Sequence, residues 1–156
     1  ELPMSYIPNF EEEFFLSLRL KGIKPILAHP ERYGALEKRE DELLKWREQG
    51  LLLQINIGSL LGKYGPGAKA QAELFFKNKL VDLGGADAHN DSRRTTDMKP
   101  ALIELRKLVD EAYYQKLTIE NPAKIINSEE VEIFCPKSLK ENKPGFFDKV
   151  KHILGV

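Results

Sequence analysis

Asp87 and His89 stand two residues apart, just after the short apolar run Leu80-Val81-Asp82-Leu83-Gly84-Gly85-Ala86. A carboxylate oxygen and an imidazole nitrogen in that order suit a divalent metal ion. If the chain leaves its strand still extended, side-chain alternation puts both on one face. His29 closes a second apolar run, residues 23–28, and Pro30-Glu31-Arg32 follows at once. Asn56 and Ser59 close a third, residues 51–57, and Glu1 offers one more carboxylate. Glu1, His29, Asp87 and His89 are therefore the candidate metal ligands. Arg32 lies three residues after His29, and Arg93 and Arg94 lie four and five after His89. Guanidinium forks match phosphate oxygens, and metal with arginine is a common provision for a phosphoryl group. Arg32, Arg93 and Arg94, with Asn56 to orient water or substrate, complete the candidate set. Each residue also has an ordinary reading. Asp87 can cap a helix, His89 can bond a backbone carbonyl, an arginine can pair with Glu31 or Asp91, and Ser59 can be an N-cap.

The elements that must carry these groups follow from periodicity. Residues 10–21 repeat apolar side chains at helical spacing behind three acids, and Gly22 ends them. Residues 39–49 and 68–79 read as two further helices, and residues 97–114 as the longest, with Met98, Leu102, Leu105, Leu108, Val109 and Ala112 spaced by three and four. Asn121-Pro122 opens a short helix, and residues 131–134 suit a last strand or an extended wrap. Glu1, His29, Asn56 and Asp87 are separated by 28, 27 and 31 residues, about one strand, one helix and two loops each time. A (β/α) barrel brings successive C-terminal strand ends to one face, whereas an open doubly wound sheet does not gather so many. The fold class expected is α/β, with four strand ends accounting for about half of a barrel.

The bulk composition narrows the function further. The 156 residues carry 24 basic and 24 acidic side chains, so no global field recruits nucleic acid. Cys135 is the single cysteine, which fits a reducing, cytoplasmic setting. A Cys-x5-Arg phosphate loop would need arginine at position 141, where Glu141 stands. There is no Gly-x-Ser-x-Gly elbow, Walker loop or Gly-x-Gly-x-x-Gly fingerprint.

His29-Pro30-Glu31-Arg32, Asn56-Ile57-Gly58-Ser59-Leu60-Leu61-Gly62, Ala86-Asp87-Ala88-His89-Asn90 and Glu120-Asn121-Pro122, in that order, resemble the bacterial metal-dependent tyrosine phosphatases of the polymerase and histidinol phosphatase (PHP) superfamily. Those proteins accompany capsule and exopolysaccharide biosynthesis. The resemblance runs from Glu1 to about Phe134. It implies a distorted (β/α)7-type barrel, of which this chain supplies the C-terminal half to two-thirds. It also implies a divalent metal cluster, manganese first, with iron, zinc or magnesium as substitutes. The implied substrate is phosphotyrosine on the tail of a membrane-associated, capsule-regulating tyrosine kinase. Glu1, His29, Asp87 and His89 then resemble metal ligands, and Arg32 and Arg94 the arginines that hold the phosphate during catalysis. The family's His-x-His motif and its remaining ligands would precede Glu1, so the expectation for this chain alone is weak activity and marginal folding. The competing readings are another phosphoesterase of the superfamily, acting on histidinol phosphate or a nucleotide, and an inactive binding module.

Residues 1–135 thus read as part of a barrel, and residues 136–156 as a basic amphipathic tail. The tail sets Lys137, Lys140, Lys143, Lys149 and Lys151 against Glu141 and Asp148. Phe146, Phe147, Val150, Ile153 and Leu154 share one helical side, an arrangement that can rest on the inner face of a membrane.

Overall fold

Three short apolar runs pair side by side. β1 (Ile26–Ala28), β2 (Leu52–Asn56) and β3 (Leu83–Gly85) form a parallel sheet in the order β1-β2-β3. The structure is a computed structural model and describes residues 1–37, 39–92 and 94–139. Parallel strands need a crossover between them. Here α2 (Glu40–Glu48) joins β1 to β2, and α3 (Pro66–Lys77) joins β2 to β3. The register sets Leu27 beside Leu53, Gln54 beside Leu83 and Asn56 beside Gly85. His29, Asn56 and the residues that follow Gly85 consequently emerge at one end of the sheet.

The tandem Gly84 and Gly85 have a steric cause. A Cβ at Gly84 would meet Ile57 Cγ2 at 2.9 Å, and one at Gly85 would meet Gln54 Nε2 at 2.7 Å. The branched Ile57 leaves no room for a side chain at Gly84, whereas at Gly85 the end of the flexible Gln54 side chain would have to move aside.

β2 is the centre of the core, with Leu53 and Ile55 fully buried. α3 buries Ala68, Ala72, Phe75 and Phe76, one helical stripe, while α2 buries Leu43, Leu44 and Trp46. The first helix, α1 (Glu11–Leu20), carries Glu11, Glu12 and Glu13 where its dipole favours acids, and buries Phe15 edge-on against Trp46 with ring centres 5.5 Å apart. Truncating Leu53 to alanine would cost about 2–5 kcal/mol by transfer and cavity terms together.

Two expectations from periodicity are corrected. Residues 97–114 form two helices, α4 (Lys99–Leu108) and α5 (Glu111–Gln115). The break comes at Val109, whose backbone is extended, and Asp110 then caps α5 by accepting from the Tyr113 amide at 2.8 Å. The apolar period continued across a local cap that periodicity does not register. α5 runs through a π-type stretch (Lys116–Glu120) into α6 (Asn121–Ile126), the short helix expected there. Of the strand or extended wrap expected over residues 131–134, the structure has the wrap, with the Phe134 carbonyl accepting from Arg47 Nη2 at 2.8 Å. The run before the glycines is also shorter as a strand than its apolar length suggests. Tyr113 Oη donates to the Val81 carbonyl at 2.8 Å and accepts from the Val81 amide at 3.0 Å, so β3 begins only at Leu83.

At the N-terminal end of the sheet lies a buried ion pair. Both Arg47 terminal nitrogens donate to Asp82, which also accepts from the Leu53 amide at 2.8 Å. Burial pushes the Asp82 carboxyl above its ordinary range, against the charge and hydrogen bonds of Arg47. Among the described residues no helix is long and apolar enough to cross a membrane. Most of the basic tail, residues 140–156, lies outside the described residues.

Candidate active site at the strand ends

β1 delivers His29 into a tight turn, Pro30–Arg32, that folds back on the end of β2. His29 is 1% exposed and adopts φ +40°, a left-handed conformation that costs a non-glycine residue about 1–3 kcal/mol unless its surroundings impose it. Its amide donates to the Gln54 carbonyl at 2.7 Å, and its Nε2 meets Glu1 Oε1. That contact, with the charge on His29, holds the Glu1 carboxyl below its usual range. Glu1 and His29 are therefore brought together as the sequence suggested, 28 residues apart in the chain.

Asp87 is the centre of the second group. Its Oδ2 accepts from Asn56 Nδ2 at 2.8 Å, from Arg32 Nη1 at 3.2 Å and from Arg94 Nη2. Burial works to raise its pKa, but the Asn56 bond and the charge and hydrogen bond of Arg94 outweigh it and hold the carboxyl below its ordinary value. The Arg32 guanidinium stacks 4.5 Å above the Tyr64 ring centre, so one face is held by an aromatic ring while an edge reaches Asp87. Beside it opens a groove of about 430 Å³ lined by Arg32, Glu37, Tyr64, Pro66 and Gln71. Arg32 and Arg94 thus converge on one carboxylate from two separate loops. Arg93 lies outside the described residues.

The extended exit from β3 is corrected. Asp87 has φ +52°, and the chain turns there instead of running straight. His89 consequently lies on the rim, with Nδ1 3.0 Å from the carbonyl of Asp87 and 3.6 Å from its Oδ1. The carbonyl-bonded histidine of the ordinary reading is present at this position. Asn56 is wholly buried, and its amide supports Asp87 from behind. A substrate would meet Asp87 and the arginines before it met Asn56.

The four candidate ligands form two pairs, Glu1 with His29 and Asp87 with His89. Among the described residues, no three His, Cys, Asp or Glu side chains group as a metal ion would require. The donor types nevertheless suit a divalent ion, being imidazole nitrogen and carboxylate oxygen. His29 Nδ1 is buried with no hydrogen-bond partner, and Nε2 is the nitrogen turned toward the Glu1 carboxylate. The residues present fit part of a coordination shell.

Two members of this region are not apparent from the sequence. Glu31 looks like a surface partner for an arginine, yet it is 3% exposed, and its Oε1 accepts from Ser59 Oγ at 2.7 Å and the Asn56 amide at 3.2 Å. Burial pushes its carboxyl up to about 7, against those bonds. Nothing in the residue types marks that burial. Tyr64 sits in a Gly/Pro turn, where an aromatic between glycines is the only hint of a stacking role. Cys135, by contrast, lies beside the Leu44 carbonyl, 3.6 Å from its Sγ, and burial raises its pKa.

Comparison with known proteins gives concordant results. Residues 11–127 match the family described as "Capsular polysaccharide synthesis, CpsB/CapC". The chain is 32% identical to the tyrosine-protein phosphatase YwqE of Bacillus subtilis over 148 residues, covering 94% of this chain and 58% of that protein. It is 30% identical to the tyrosine-protein phosphatase CpsB of Streptococcus pneumoniae over 115 residues, covering 70% of this chain and 47% of that protein. A chain from the crystal structures of YwqE and of CpsB from Streptococcus pneumoniae, described as unique metal-dependent tyrosine phosphatases, superposes with a TM-score of 0.76 at 32% identity. That match covers 88% of this chain and 56% of the other. The chain spans about half the length of the relatives it matches.

Proposed function

The chain belongs to the CpsB/CapC family of capsular polysaccharide synthesis, and from that premise we propose that it carries the phosphate-binding part of a metal-dependent tyrosine-protein phosphatase. The observation that carries the reading is the convergence of Arg32 and Arg94 on Asp87 beside the Glu1–His29 pair. Relatives named as tyrosine-protein phosphatases support it. On this reading the parallel sheet belongs to a distorted (β/α)7-type PHP barrel. Glu1, His29, Asp87 and His89 contribute ligands to a divalent metal cluster, manganese first.

When bound, such metals supply Lewis-acid polarisation of the phosphoryl group and a water of lowered pKa. The chain's own residues do the rest. Arg32 and Arg94 release part of their hold on Asp87 and donate to the non-bridging oxygens of the phosphoryl group, where negative charge is greatest in the transition state. Tyr64 keeps the Arg32 guanidinium over its ring as the substrate enters, which limits the rotamer freedom lost on binding. Asn56 keeps Asp87 oriented throughout. The phosphotyrosine itself belongs to the tail of a capsule-regulating, membrane-associated tyrosine kinase, and a tail phosphorylated from ATP puts the reaction in the cytoplasm.

The test is hydrolysis by the manganese-loaded, full-length protein of a phosphotyrosine peptide, compared with histidinol phosphate and nucleoside monophosphates, before and after chelation. Preference for the peptide, lost with chelator and restored by metal, is expected. Faster turnover of either small phosphomonoester would replace the substrate assignment, and turnover unaffected by chelator would overturn the metal assignment.

A further inference from the structure

We propose that Glu31 is a positioning residue that fastens the turn bearing His29 and Arg32 to the end of β2 and, through Asn56, fixes the direction of Asp87; the proposal rests on the phosphatase reading of this site. Glu31 lies in the turn between the two residues that matter most, and its side chain points away from solvent. One carboxylate oxygen accepts from both the Asn56 amide and the Ser59 hydroxyl. These donors belong to the last residue of β2 and to the Ile57–Leu61 turn after it. The clip therefore joins two strand-end loops that are not neighbours in sequence.

Its position explains how the strained geometry persists. His29 is left-handed without being glycine, and two fasteners flank it. On one side its own amide bonds Gln54, and on the other Glu31 bonds Ser59 and Asn56. Without the second, the turn can relax and carry the His29 ring and the Arg32 guanidinium with it. Asn56 is the shared member. Its backbone amide is held by Glu31 while its side-chain amide holds Asp87 at 2.8 Å. Displacing Glu31 thus disturbs His29, Arg32 and Asp87 at once, although Glu31 touches neither phosphate nor metal.

The experiment compares Glu31→Ala, Glu31→Gln and Ser59→Ala in the full-length protein, reading manganese affinity by titration, KM and kcat on a phosphotyrosine peptide, and the thermal midpoint. Glu31→Ala is expected to weaken manganese binding about tenfold, as loss of a ligand-orienting partner does, and to lower kcat/KM about a hundredfold. Glu31→Gln keeps an acceptor oxygen for both donors and should recover most of that loss. Ser59→Ala should raise KM about threefold with a smaller change in kcat, since it loosens the turn that carries Arg32. A folded Glu31→Ala protein with wild-type manganese affinity and kinetics overturns the proposal, as does a Glu31→Gln protein no better than the alanine variant. If Glu31→Ala does not fold, Ser59→Ala decides: unchanged KM, kcat and manganese affinity overturn the proposal. A wild-type protein inert toward phosphotyrosine would overturn the phosphatase reading, while the manganese titrations would still decide the role of Glu31.

Discussion

The two ends of the small parallel sheet use the same chemical groups to opposite purposes. At the N-terminal end, Arg47 and Asp82 form a bidentate pair that is almost wholly buried, and the Leu53 amide and Phe134 carbonyl complete it. At the C-terminal end, Asp87 holds two arginines whose side chains remain 21% and 30% exposed, and the backbone at both His29 and Asp87 is left-handed. One end is closed, with each charge committed to a partner inside the fold. The other is open and strained, and its arginines share a single carboxylate oxygen that an incoming phosphate can replace. Burial, more than residue type, separates an ion pair that supports the fold from one that can do chemistry.

The contrast can be broken most directly at the closed end. Arg47→Ala leaves the Asp82 charge buried and unpaired, and is expected to cost about 3–5 kcal/mol in urea unfolding. A loss under about 1 kcal/mol would mean that the pair is no more structural than a surface one. At the open end, Asp87→Asn should lower phosphotyrosine turnover roughly a thousandfold, equivalent to about 4 kcal/mol, while moving the thermal midpoint by only a few degrees. A large drop in midpoint would make Asp87 structural and erase the distinction. Arg94→Ala should raise KM and lower kcat/KM by about thirtyfold in steady-state assays with metal content unchanged. Tyr113→Phe removes the hydroxyl that serves both backbone groups of Val81, so a loss of about 1 kcal/mol in thermal unfolding is expected, with turnover untouched.

The smallest effect is a pH dependence. Burial raises the Asp82 carboxyl above its ordinary 3.8, so between that value and the raised one the folded state binds more protons than the unfolded state. Stability therefore falls as pH rises through this window, and the Asp82 contribution grows as pH falls back toward 3.8. The wild type should gain on Asp82→Asn as urea unfolding is repeated from pH 7 down to about pH 4. A gap that widens against the wild type on acidification would reverse the assignment.

Most of the sheet is legible in the sequence, because β1, β2 and β3 are apolar runs ending in polar residues and the helices between them keep a clear period. His29, Arg32, Asp87 and Arg94 are legible too, since each follows a strand at a short interval. The failures share a physical cause. The helix break at Val109 depends on an aspartate cap, and the shortened β3 depends on a tyrosine hydroxyl from 32 residues away. The turn at Asp87 changes a face assignment that assumed extended backbone, and Glu31 is buried by neighbours that only the fold supplies. Apolar periodicity registers neither a local cap nor a polar partner that the fold brings in from elsewhere in the chain.

Tyr113 has a further consequence for what can attach to the sheet. Residue 82 turns its amide inward to Leu53, so the amide and carbonyl of Val81 face the outer side, where another strand would otherwise dock. One phenolic oxygen fills both positions, and the Asn121 side chain takes the Asp82 carbonyl at 2.9 Å. The chain just ahead of β3 is thereby closed to an incoming polypeptide at Val81, where a single side chain from a distant helix already occupies the amide and the carbonyl.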